Sequence, residues 1–152
     1  MPHSKPILAI RVLACVCITA SSLTPPVARA QANAEETVQQ SLNMAVQGMF
    51  SGAEEKHLGR LGDATAVQLT KLLADKPLRD ADIPPIILVT RLSYNFPEGI
   101  QDADNRKPRA TLYLLRSLSC AAKDPKILGS IEEVTEYVKS QYAAYLRNHP
   151  GQ

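Results

Sequence analysis

From Glu35 onward the apolar positions Val38, Leu42, Ala45, Val46, Met49 and Phe50 recur mostly three or four residues apart. That is the spacing of an amphipathic helix with one buried stripe, and it predicts a first helix over Glu35 to Met49. Ser51, followed three residues later by Glu54, has the form of a capping box; it introduces a short helix carrying Leu58 and Leu61 that Gly62 ends. Asp63 then has the chemistry of an N-cap for the next turn's amides, opening a helix that runs to about Ala74 with Ala66, Leu69, Leu72 and Leu73 apolar. Pro77 closes it. Asp82 opens the fourth element, because the prolines at 84 and 85 suit a first helical turn, where a missing amide has no intrahelical partner to lose. The run Ile86 to Val89, with Leu92 and Phe96 beyond it, is rich in β-branched residues, but its length and double-proline entry favour a helix over a buried strand.

A polar stretch, Pro97 to Lys107, separates this element from a fifth helix that begins at Pro108, with Leu112, Leu115, Leu118 and Ala122 on one face and Leu114 widening it. Asp124-Pro125 repeats the cap-then-proline start. From there Ile127, Ile131, Val134, Val138, Tyr142 and Tyr145 trace a stripe along the last and longest helix, which ends near Arg147. No pair of alternating segments is joined by hairpin-turn chemistry, so the fold class is all-α.

The helix starts recur. Asp63 lies 44 residues before Lys107 and Asp82 lies 42 before Asp124, a helix-pair period of about 43, inside the range of ~40 to 47 for two- or three-helix repeat units. A shift of 43 places Leu69 on Leu112 and Leu72 on Leu115, and a shift of 42 places Val89 on Ile131, Leu92 on Val134 and Phe96 on Val138. The segment Leu58-Gly59-Arg60-Leu61-Gly62-Asp63-Ala64-Thr65-Ala66-Val67 resembles the opening of a HEAT/armadillo-like helical repeat, with a leucine pair before Gly-Asp at the turn and Ala-Val starting the packed face. It departs from that pattern after Val67, where Leu69 rather than Thr70 is apolar, and Leu-Gly-Asp has no second copy. The resemblance implies a short right-handed superhelix of antiparallel helix pairs that binds protein, and it brings no catalytic residues. Such a unit hides its apolar face only by stacking, so the first two helices would serve as a degenerate first unit. A closed helical bundle is the alternative, and both bury the same leucines.

Ahead of these helices, His3 and Lys5 precede an apolar stretch that Arg11 interrupts, and small residues lead to Ala28-Arg29-Ala30. This has the layout of a secretory signal peptide over residues 1 to 30, cleaved after Ala30, and it places the protein in the periplasm or outside the cell. A disordered start over 31 to 34, a single all-α domain over 35 to 147 and a tail over 148 to 152 complete the organisation. The charge-free apolar stretch is shorter than the ~20 residues a membrane span needs. Removing the leader changes the arithmetic: the 17 cations lose Lys5, Arg11 and Arg29 against 15 acids, so the net charge moves from +2 to −1. A chain without cationic excess has little electrostatic warrant for nucleic acid. Of the 3 cysteines only Cys120 is kept, which excludes an internal disulfide, so the fold rests on its core.

The candidate chemistry is sparse. His57 has no histidine four positions away, as a helical zinc motif requires, and is read as solvated, like His149 in the tail. Asp102-Ala103-Asp104-Asn105 starts like a calcium loop, but Arg106 and Tyr113 stand where an oxygen ligand and a glutamate belong, so the acids are assigned to capping. Cys120 is read as a buried small hydrophobe rather than a nucleophile. No metal or other cofactor is called for. Arg106, Lys107 and Arg109 sit at a helix start, where cations oppose the macrodipole, which points to pairing with Asp80, Asp82 or Asp102, or to an acidic partner. Tyr137, Tyr142 and Tyr145 on the last helix suit a half-buried binding face. The expectation is thus a non-catalytic adaptor or scaffold that meets a protein partner through Arg106, Lys107, Arg109, Tyr137, Tyr142 and Tyr145. The competing reading is a small enzyme or ligand carrier with a pocket between helices.

Overall fold

The computed structural model describes residues 26 to 152. The apolar stretch of the predicted leader, with Cys15 and Cys17, lies outside the described residues. Among those described there is no strand, and six α-helices carry the fold: α1 Pro26–Gln47, α2 Gly52–Leu58, α3 Asp63–Leu73, α4 Ile83–Leu92, α5 Arg109–Ala121 and α6 Pro125–Asn148. The all-α class is therefore as the sequence predicts. No helix among the described residues is long and apolar enough to cross a membrane.

Helix α1 starts well ahead of the predicted Glu35, and the stretch from Gln31 to Ala34, expected to fray, is helical with Ala34 buried. Its inward side chains Ala34, Val38 and Ser41 all lie beyond the predicted cleavage point. They face α3 and α4, against both of which α1 packs. The stripe stops short of its expected end: Val46 is 68% exposed and Met49 60%. The helix has ended at Gln47, and Gly48 turns the chain with a φ of 69°, so these last apolar residues have no neighbour to meet.

The core is built mainly by α3 to α6, with Leu69, Ile83, Ile86, Val89, Leu115, Leu118, Ile131 and Val138 among its most buried side chains, and Val38 of α1 and Leu58 of α2 join it. Helix α3 packs against α5, and α4 against α6, so each helix of the first pair touches its counterpart in the second. Two apolar expectations fail along the way. Phe96, aligned with the buried Val138, is 55% exposed, because α4 stops at Leu92 and Phe96 precedes a separate 3-10 turn over Pro97–Gly99. Cys120, expected inside, is exposed on α5.

The turn before α3 depends on one glycine. Gly62 has a φ of 54°, where an L side chain is strained, and a β-carbon there would lie 2.4 Å from the Asn105 carbonyl oxygen and 2.6 Å from Ile100 Cδ1. The polar stretch between α4 and α5 thus crosses directly over the Gly62 backbone. It is no loose loop: Asp102 accepts a hydrogen bond from the Asp104 amide (3.0 Å), and a second 3-10 turn spans Ala103–Arg106. Asp124 caps α6 as expected, accepting from the Lys126 amide at 2.9 Å. The capping box at Ser51 does not close on the backbone; its hydroxyl instead donates to the Glu54 carboxylate, which holds Glu54 below its ordinary range.

Candidate functional site

Helix α5 starts at a proline-arginine pair and has neither a capping side chain of its own nor an acid in its first turn. Its free amides are served from a distance. Asp63 Oδ1 accepts from the Thr111 amide (2.8 Å) and the Thr111 hydroxyl (2.8 Å), and Oδ2 accepts from the Ala110 amide (3.0 Å). Asp63 was predicted to cap its own helix; it is instead the first residue of α3, buried, and it caps the next pair's α5. A buried carboxylate is tolerable because it meets three donors and the positive end of a helix at once. The arrangement recurs at the other seam: Asp80 Oδ1 accepts from the Lys123 amide and Oδ2 from the Asp124 amide, both at 2.9 Å, at the head of α6.

Tyr94 completes the buried seam. Its ring is fully covered and its hydroxyl donates to the Asn105 carbonyl at 3.2 Å, beside Asp63 and Thr111. Burial, reinforced by the Asp63 carboxylate, holds that hydroxyl protonated far above the ordinary tyrosine range.

These two caps also resolve the unfavourable basic cluster. The expected ion pairs with Asp80, Asp82 or Asp102 do not form: Asp80 serves the α6 amides, Asp82 pairs with Arg79 at 3.3 Å, and Asp102 holds its own turn. The Arg79 contact draws the Asp82 carboxyl below its ordinary range, chiefly through the side-chain hydrogen bond. Arg106 folds back over the Tyr145 ring (4.9 Å to its centroid) and donates to Gln152 Oε1 at 3.3 Å. Lys107 and Arg109 remain exposed and make no ion pair among the described residues.

The three candidate tyrosines part company. Tyr145 is buried; His149 stacks on it at 4.3 Å between centroids, and its hydroxyl donates to Gln152. This makes His149 half-buried rather than solvated, and it ties the expected tail to the helix. Tyr137 is anchored inward, donating to Asn95 Oδ1 at 2.7 Å under the Arg91 guanidinium. Only Tyr142 reaches an open surface together with the basic cluster. There it lines a hollow of about 260 Å³ with Lys107, Pro108, Arg109, Leu112 and Leu146.

A second hollow of about 480 Å³ continues along the groove between α5 and α6, sharing Leu112 and Lys139 with the first and adding Arg116, Leu128 and Glu132. The walls therefore carry Lys107, Arg109, Arg116 and Lys139 against Glu132, with Glu136 bonded to Lys139 at 3.0 Å. Arg116, Leu128, Lys139 and Leu146 were missed from the sequence. Their only signal there was a position on the polar side of a helical stripe, which ordinary solvated faces share. Tyr113, also passed over, is the tyrosine most open to solvent, 68% exposed and one turn from both Arg109 and Arg116 on α5.

A larger cleft of about 610 Å³ lies between α1 and the α3–α4 connection, floored by Leu42, Leu73, Leu78 and Ile86, with Gln39 and Asn43 in its wall. His57 is exposed, and among the described residues no cluster of histidine, cysteine, aspartate or glutamate could hold a metal ion. No protein-family model matches the chain, and no curated protein or solved structure is significantly similar to it.

Proposed function

We propose that this chain is an exported, HEAT-like helical adaptor or scaffold that binds a protein partner in the α5–α6 groove. The observation that carries the reading is the joining of two shallow hollows into one groove, with apolar residues along its length and unpaired cations at one end. Grooves between helices hold partner helices or extended segments by such anchors, and exposed apolar surface rimmed by polar groups marks interaction sites. The stacked, short superhelix is favoured over a closed bundle by the two long-range caps, which join like helices of successive pairs head to head. Export is read from the leader pattern, and N-terminal sequencing of the exported form is expected to begin at Gln31; retention of Met1 overturns it.

Affinity capture from the native envelope fraction tests the interaction. The chain is compared with a Lys107→Ala/Arg109→Ala variant and with Ala143→Trp, which fills the smaller hollow without removing any polar group. A specific protein lost from both variants is the expected result. An unchanged set of captured proteins overturns it.

The second reading, a small-ligand carrier, is favoured by the α1-side cleft, whose volume and apolar floor with two amide side chains suit a small molecule. Mass spectrometry of compounds released from the purified chain, and their loss in Leu42→Trp, separates the two readings.

A further inference from the structure

The α5–α6 face differs from the face beneath it in a way that specifies the partner. On the α3–α4 pair, Asp63 heads the first helix and Asp80 lies two residues before the Asp82 start, and each accepts two backbone amides from the head of a helix in the next pair. At the head of α5 the place of Asp63 is taken by Arg109, and two residues before Asp124 the place of Asp80 is taken by Ala122. Neither carboxylate repeats. A further helix pair seated in the same register would bring the positive end of its first helix against Lys107 and Arg109, which like-charge repulsion disfavours, and that of its second against Ala122, which offers no acceptor. The groove therefore ends the stack in this register, which argues against a second copy of the chain as its occupant.

What the groove offers is complementary to an acidic surface. Four cations line its walls against two carboxylates, Glu132 and the Glu136 that pairs with Lys139, so the excess sits at Lys107, Arg109 and Arg116, and Leu112, Leu128, Leu146 and Tyr142 provide apolar seats between them. The imbalance is local, since the whole chain carries only +2. We propose that the occupant is an acidic amphipathic helix, its apolar stripe seated along Leu112, Leu128 and Leu146 and its carboxylates facing Lys107, Arg109 and Arg116. This inference rests on the groove being the interaction surface, and it adds the chemistry of the partner. Charges placed in this way mainly set partner choice and association rate, while the apolar seats hold the complex together.

The test uses two labelled synthetic helices of about 18 residues, or five turns, with the same leucine stripe, one carrying glutamates on its polar face and the other lysines. Each is titrated into the full-length chain by fluorescence anisotropy at low and high salt. The acidic helix is expected to bind about tenfold tighter or more at low salt, a factor worth about 1.4 kcal/mol, and to lose most of that margin as salt screens the exposed charges. Lys107→Glu/Arg109→Glu is expected to abolish or invert the preference, and Lys107→Gln/Arg109→Gln to reduce it. Charge reversal of Lys56 and Arg60, on and just beyond α2, leaves it unchanged. Helical circular dichroism checks that each variant is folded, and the glutamine pair carries the test if the glutamate pair is not.

Equal affinity for the two helices overturns the acidic assignment while leaving the groove as an interaction surface. Binding by neither helix overturns the inference, and the envelope capture then decides the groove separately. A preference that survives in the 107/109 variants places the acidic site elsewhere and overturns it. So does capture of the chain by phosphatidylglycerol vesicles in preference to the acidic helix, or a dimer that the same variants dissolve.

Discussion

The α5–α6 pair has two faces of opposite chemistry. Toward α3 and α4 it presents helix ends whose amides are held by Asp63 and Asp80 over an apolar core. Away from them it presents Lys107 and Arg109, which make no ion pair among the described residues, and a groove floored by half-exposed leucines. The inner face is largely desolvated, and the amides at its two helix ends are satisfied by carboxylates of the neighbouring pair. The outer face leaves charge and apolar area exposed to solvent. The lesson is that substitutions on the two faces should separate stability from recognition.

The largest stability loss is expected at Gly62. Gly62→Ala adds an unfavourable positive φ to a 2.4 Å approach to a backbone carbonyl, and should cost about 4 kcal/mol by chemical denaturation. A loss under about 1 kcal/mol would mean the crossing segment moves aside easily. Asp63→Ala comes next, at about 3 kcal/mol, because it strands buried amides of Ala110 and Thr111 at once. The equivalent Asp80→Ala should cost only about 1 kcal/mol, since its site is half-open and water can replace the carboxylate. Measuring these two together tests whether burial separates the seams; equal losses would show that it does not.

Tyr94 sharpens the comparison through pH. Its folded hydroxyl titrates above the unfolded value of about 10, so the folded state retains a proton that the unfolded state releases. Stability from this group is fully present below that pH and is lost as the pH rises past it. Spectrophotometric titration should show one of the 5 tyrosines ionising only with unfolding, and Tyr94→Phe should remove that step at a cost of about 1 kcal/mol for the lost hydrogen bond. The smallest stability effect is expected on the outer face, where Lys107→Gln/Arg109→Gln should change unfolding by less than about 0.5 kcal/mol. A larger loss would show that these cations hold the fold together.

Much of the fold was legible because its signals are local. The start at Asp124-Pro125 and the ends near Ala74 and Arg147 came from capping and proline chemistry, which needs only neighbouring residues, whereas the start at Asp63 falls where expected although its carboxylate serves another helix. The candidate surface was legible only in part. Lys107, Arg109 and Tyr142 do share a hollow, yet Arg106 and Tyr145 are occupied with each other and Tyr137 turns toward Asn95. A tyrosine at a stripe's edge reads the same whether its hydroxyl meets solvent or a distant amide, and the partner here lies 42 residues away.

The sequence by itself determined the helical class, the order of the six helices and most of the core, because the spacing of apolar side chains and the chemistry of helix starts are properties of a few adjacent residues. Tertiary structure alone decided that Asp63 and Asp80 serve helices of the following pair, that Val46, Met49 and Cys120 face outward, and that the outer groove is cationic. Those outcomes depend on which helix end arrives beside which side chain. For the two caps that is fixed by packing between segments more than forty residues apart, and no local pattern encodes it.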